Sequence, residues 1–186
     1  MGFFDALFGR TRVPPGKADP LFALSTALLD IEAKLNAKPG PESALVLRMV
    51  DNSEYEALER EVEATLKVGG KDLPVEVRSV EDNLGYRWMV FAGPDPEQQL
   101  NAIYLASDLL KEGGYADGLL AALFKFQPRD WYLIYSFRRA AFYPFVPLPG
   151  NRRDQPREFR LGQTLKAWLP IEKDPERWYA LWDPPL

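Results

Sequence analysis

The sequence predicts an α+β domain: a mainly antiparallel sheet of about five strands with helices packed on it. Three observations lead there. Apolar residues recur at helical spacing in several segments, short β-rich runs come in pairs joined by turn signals, and helices connect the pairs. At 186 residues and 46% apolar content the chain can bury one substantial core. We expect a single domain over 18–186, preceded by an apolar turn and flexible arm over 1–17.

The opening Gly2-Phe3-Phe4-Asp5-Ala6-Leu7-Phe8-Gly9 places Phe3, Phe4, Leu7 and Phe8 on one side of a two-turn helix. Pro14-Pro15-Gly16 then marks a flexible arm. Asp19-Pro20 reads as an N-cap followed by the first helical residue, and Leu21, Leu24, Leu28, Ile31 and Leu35 carry that helix to Asn36. Lys38-Pro39-Gly40-Pro41 is expected to break the pattern ahead of a strand over Ala44 to Val50. Ser53-Glu54-Tyr55-Glu56 is a capping box, and Tyr55, Leu58, Val62 and Leu66 predict a helix ending at Gly69-Gly70.

Leu73 to Ser79 and Tyr86 to Phe91 predict a hairpin around a five-residue loop. Asp95-Pro96 repeats the helix start, and that helix runs to Gly113-Gly114. Leu119 to Phe126 and Trp131 to Phe137 are apolar at nearly every position, which predicts central strands covered on both faces. Beyond Arg139 the prolines predict an irregular Pro/Arg-rich loop over about 140–157. A last helix over 158–168 and an aromatic tail with Trp178, Tyr179 and Trp182 complete the chain. This order of elements looks like the type III secretion chaperone-like fold, an analogy of fold that carries no function with it.

The chain contains no histidine and no cysteine. Imidazole-based hydrolysis, cysteine nucleophiles, thiol redox chemistry and metal sites built on His or Cys are thereby excluded. No phosphate-binding glycine pattern is present, since both Gly-Gly pairs read as helix C-caps. The acids from Asp51 to Glu63 interleave with an amphipathic stripe and read as a solvated face. We therefore expect no catalytic residue, cofactor or metal, and a non-enzymatic protein. The absence of a signal-like or membrane-spanning apolar run leads us to expect a soluble cytoplasmic protein. Arg in excess of Lys, with 17 prolines, is compatible with a thermophilic source.

Between residues 138 and 160 stand six arginines and two acids in a chain of net charge −4. Arg138, Arg139, Arg152 and Arg153, with Tyr143 beside them, are the candidate contacts for an anion or an acidic partner. The alternative is that these arginines pair with Asp154, Glu158 and other acids to tie the loop down. An acidic pI near 5.1 argues against nucleic acid. Phe3, Phe4, Leu7 and Phe8 are the candidate membrane or partner contact; packing on the chain's own core or on a second subunit is the alternative. Two further functions stay open: binding or turnover of a phosphate ligand at Arg138 to Arg160, and chaperone-like capture of extended protein segments.

Several separated pieces resemble the PspA-associated family called PspAB. They are Met1-Gly2-Phe3-Phe4-Asp5-Ala6-Leu7-Phe8-Gly9, Leu21-Phe22-Ala23-Leu24, Phe142-Tyr143-Pro144-Phe145 followed by Arg152-Arg153-Asp154, Leu169-Pro170-Ile171-Glu172, and Arg177-Trp178-Tyr179-Ala180-Leu181-Trp182. The resemblance spans nearly the whole chain apart from about Asp51 to Gly93. It implies an accessory protein of the envelope stress response that associates with PspA, a membrane-stress effector, and with it an expected peripheral location at the inner face of the membrane. It carries over no catalytic residue.

Overall fold

The computed structural model describes residues 19–48, 53–68, 75–128 and 131–186. The apolar turn with Phe3, Phe4, Leu7 and Phe8 lies outside the described residues, as do Gly69-Gly70 and the residues between the first strand and the second helix. In chain order the elements are α1 (Ala23–Leu35), β1 (Lys38–Arg48), α2 (Ser53–Val68), β2 (Glu76–Glu81), β3 (Tyr86–Ala92), α3 (Pro96–Glu112), β4 (Leu119–Gln127) and β5 (Trp131–Ser136). They continue with β6 (Ala141–Phe145), β7 (Pro147–Leu148), β8 (Arg152–Arg153) and α4 (Gln155–Leu165).

The helix starts follow the local chemistry. Asp19 accepts the Leu21 amide at 2.9 Å and opens a 3₁₀ turn, Pro20–Phe22, that leads into α1. Asp95 does the same for α3 through the Glu97 amide, again with proline in the first turn. α1 stops at Asn36, whose φ of 49° is the left-handed conformation that asparagine tolerates better than most residues. At the end of α3, Gly113 lets Leu58 of α2 pack close: a Cβ there would displace the end of that leucine side chain.

The sheet has six antiparallel strands in the order β2-β3-β1-β4-β5-β6. The first strand in sequence thus lies inside the sheet, between β3 and β4. β4 and β5 are also interior, as their apolar runs predict, and Leu133 and Ile134 are fully buried. One face carries Met89, Phe91, Leu45, Phe124, Leu133 and Tyr135 by register, and α1 to α3 cover it. Polar ties fasten that layer: the Tyr135 hydroxyl donates to Asp19 at 3.0 Å, Ser79 to Glu63 at 2.8 Å and Arg87 to Glu59 at 2.8 Å. The other face carries Trp88, Val90, Val46, Leu123, Ile134 and Phe145. It is crossed by the chain end, where Trp182 meets the Phe145 ring at 5.1 Å and the Pro185 carbonyl accepts from Arg78 at 2.7 Å.

Two expectations need correction. β1 begins at Lys38 and runs through Pro39-Gly40-Pro41, accommodated by a shift of register against β4 between Pro39 and Ser43. The stretch 140–157, expected as an irregular loop, instead holds β6, the β7–β8 ribbon and the start of α4. Pro144 does not prevent β6 from forming because of where its missing amide would point. The Phe142 amide points away from β5, donating to the Pro170 carbonyl at 2.8 Å, and by the two-residue period Pro144 presents its nitrogen to that same outer edge. No bond of the β5 ladder is lost. The last helix likewise starts earlier than expected, since Asp154 caps it through the Arg157 amide at 3.0 Å.

Candidate functional site

The arginine-rich segment is built around β6. Glu172 donates its amide to the Phe142 carbonyl at 2.8 Å, so residues 170–172 close the outer edge of this strand. β7 and β8 then form a small ribbon in which Pro147 faces Arg153 and Leu148 faces Arg152, reversed at Gly150 and Asn151, both with positive φ. The ribbon delivers Arg153 beneath α4, whose buried stripe is Glu158, Leu161, Gly162 and Leu165.

Glu158 is 2% exposed and fully engaged. It accepts the Val146 amide at 2.8 Å and a two-pronged contact from Arg153, with Nε at 3.1 Å from both oxygens and Nη2 at 2.9 Å. The same guanidinium donates through Nη1 to the Trp178 carbonyl at 2.6 Å and lies 5.4 Å from the Phe145 ring centre. Arg153 is therefore a staple joining β6, α4 and the tail. Trp178 is fixed at its other end by its indole N–H, which donates to the Glu172 carbonyl at 3.0 Å, and its ring lies over Gly162.

The remaining candidates fall in different places. Tyr143 is 3% exposed; burial pushes its phenol well above the ordinary tyrosine range, the Tyr179 backbone is its hydrogen-bond partner, and the ring serves the core. Arg152 is exposed, with Nε donating to the Pro149 carbonyl at 3.1 Å. Arg138 and Arg139 are exposed on the turn between β5 and β6. The five residues of β6 separate that turn from the ribbon, roughly 17 Å at about 3.3 Å per residue. The fold does not gather Arg138 with Arg152 and Arg153 into one anion-binding set.

What the tertiary structure assembles instead is a cleft of about 300 Å³ between the first turns of α4 and the 3₁₀ turn Pro175–Arg177. Its lining is Arg153, Gln155, Glu158, Phe159, Pro175, Glu176 and Trp178. Phe159 was not singled out from sequence, although the signal is there: it falls outside the Leu161 and Leu165 stripe, and it is 51% exposed. A second cleft, about 290 Å³, lies between the ribbon turn and residues Leu181 to Pro184. Charge is unevenly spread around these features. α2 carries five acids and two basic residues, whereas Arg152, Arg157 and Arg160 crowd the start of α4.

No helix among the described residues is long and apolar enough to cross a membrane. The family model described as PspA associated protein B matches residues 1–186, the whole chain. No curated protein matches it.

Proposed function

The chain belongs to the PspA associated protein B family, and from that premise we propose that it is a non-enzymatic accessory protein of the envelope stress response that binds PspA at the inner face of the membrane. The family's name indicates association with PspA, and the match over the full length is the observation that carries the reading. Two surfaces serve it: the apolar segment with Phe3, Phe4, Leu7 and Phe8, and exposed arginines of the 138–160 region. What supports the second is the division of labour among those arginines. Arg153 is spent on Glu158 and Trp178, whereas Arg138, Arg139, Arg152 and Arg160 stand in solvent. The proposal of a non-enzymatic role rests on the sequence, which lacks His and Cys.

Purified chain and PspA, combined in a pull-down and in flotation with phosphatidylglycerol vesicles, test the reading. Association is expected with the full chain, and deletion of residues 1–12 is expected to reduce vesicle recovery. Absence of any complex with PspA, alone or on vesicles, refutes it. A second reading, capture of an extended protein segment, is favoured by one observation: among the described residues β2 is an edge strand whose outer side pairs with no other strand. Added strand pairing seen as hydrogen-exchange protection along Glu76–Glu81 in a complex would favour it over the first.

A further inference from the structure

Resting on the second reading just given, we infer that the open edge of β2 is a strand-pairing site and that its occupant is a basic extended segment, with lysine or arginine on either side of β-branched residues. The ladder decides which backbone groups face this edge. The Asp82 amide donates to the Tyr86 carbonyl at 3.0 Å and the Gly93 amide to the Pro41 carbonyl at 2.9 Å. By the two-residue period, the even-numbered residues of β3 bond to β2 and the odd-numbered ones to β1. Glu76, Arg78 and Val80 are therefore spent on β3. Val77, Ser79 and Glu81 turn their amides and carbonyls outward, where among the described residues no strand meets them. Such a row is a template for one more strand.

A backbone ladder accepts almost any sequence, so the side chains beside it make the choice. Glu76 and Glu81 stand exposed at the two ends of the strand, and among the described residues Glu76 has no ion-pair partner. Glu81 reaches Arg87 only at 3.8 Å, and that guanidinium is already held by Glu59 at 2.8 Å. The strand's own cation, Arg78, is engaged by Glu42 at 3.2 Å and by the Pro185 carbonyl at 2.7 Å. α2 adds to the negative field: Glu63 accepts from Ser79 at 2.8 Å, which brings a helix of five acids and two basic residues along this strand. A cation opposite each glutamate completes a cross-strand pair, and β-branched residues opposite the half-buried Val77 and Val80 cover them. The same acids argue against a second copy, since pairing two β2 strands sets both edges' glutamates and both acidic helices side by side.

The test uses the full chain and a labelled synthetic peptide in which valine and threonine alternate between lysine ends, with the same peptide carrying glutamate ends as its counterpart. Fluorescence anisotropy should show the lysine peptide favoured by roughly tenfold, and its binding should weaken as salt rises. Amide exchange resolved by residue should find Val77, Ser79 and Glu81 exchanging in the free chain and protected in the complex, with Arg78 and Val80 protected in both. Ser79→Pro removes an outward amide without costing a β3 bond, and should weaken binding by roughly tenfold. Glu76→Lys with Glu81→Lys alters two exposed side chains, should keep the parent's unfolding midpoint, and should exchange the preference between the two peptides. That charge variant decides the case even where Ser79→Pro fails to fold. If both peptides protect the edge equally, capture of extended segments stands and the basic preference is wrong. If neither binds, the capture reading falls as well. Lysine-peptide binding that leaves the β2 amides exchanging as before, or that survives Ser79→Pro, is attraction to acids elsewhere and overturns the assignment. Protection of Val77, Ser79 and Glu81 in a concentration-dependent dimer of the free chain gives the edge to a second copy and overturns it too.

Discussion

Replacing Arg153 with methionine isolates the part of the arginine-rich segment that holds the fold together. In the native chain the Glu158 carboxylate is 2% exposed and is satisfied by the Val146 amide and by two nitrogens of Arg153. Methionine fills much of the volume but leaves that carboxylate with a single amide donor, and it also removes the donor to the Trp178 carbonyl. Breaking a buried pair by deleting one partner costs about 3–5 kcal/mol. Arg153 retains 20% side-chain exposure, so water reaches one side of the pair and the lower half of that range is the expected loss. Arg152→Ala, two atoms of backbone away but exposed, should change stability by less than ~0.5 kcal/mol. The double variant Arg153→Met with Glu158→Leu leaves the Val146 amide without its acceptor and the Trp178 carbonyl without this donor but buries no unpaired carboxylate, and should be more stable than Arg153→Met alone. Urea unfolding followed by tryptophan fluorescence measures all three, because Trp178 reports on the tail that Arg153 holds. A loss below ~1 kcal/mol for Arg153→Met, or a double variant less stable than the single, would refute the staple.

Gly162→Ala places a Cβ 2.6 Å from the Trp178 ring, so the tail must shift; a loss of about 1–3 kcal/mol and a changed near-ultraviolet circular dichroism spectrum are expected. The Glu59–Arg87 pair under α2 should behave as a buried pair does: Glu59→Leu alone destabilises by about 3 kcal/mol, while Glu59→Leu with Arg87→Met recovers most of that loss in urea unfolding. Asp82→Ala removes the acceptor for the Leu84 and Tyr86 amides and the Trp88 indole, and should cost about 1–2 kcal/mol, measured as a lowered urea midpoint. Tyrosine titration fixes the alkaline limit of the fold. Burial, then Glu59, pushes Tyr55 up to about 12 from an ordinary value of 10.0, and burial drives Tyr135 and Tyr143 higher still. Because the folded state retains these protons, their contribution is complete below pH 10 and is lost as pH rises from 10 through 12 and beyond. Absorbance at the phenolate wavelength should show these three rings ionising only together with loss of the near-ultraviolet dichroism.

Much of the fold was legible because its signals are local. Asp-Pro at 19–20, 95–96 and 174–175 marks three helical starts, and at each the aspartate accepts the amide two residues on. The continuous apolar runs of β4 and β5 marked interior strands for the same reason, since each residue's burial shows in its own identity. β6 was missed because Pro144 reads as a strand breaker, and whether a proline breaks a strand depends on which edge its nitrogen faces. The exposure of Phe159 is half-legible: its phase on the helix puts it outside the buried stripe, but what stands beside it depends on where the distant tail returns. The arginines group together by closeness in sequence; β6, an extended strand, sets Arg138 and Arg139 at one of its ends and Arg152 and Arg153 beyond the other.

By itself the sequence determined the fold class, most helix starts, the interior strands, the exclusion of His and Cys chemistry, and a resemblance that the family match confirms. Which arginine is structural follows from the packing of distant segments. Arg153 and Arg152 are adjacent and chemically identical, yet one meets Glu158 and the Trp178 carbonyl while the other faces solvent. That difference depends on the ribbon turning β8 back onto the end of β6 and on a tail 25 residues away returning to cover it. Local composition encodes how a segment bends and which stripe it buries. The partners a charged side chain finds are set by long-range packing, and those partners separate a residue that holds the fold from one left in solvent.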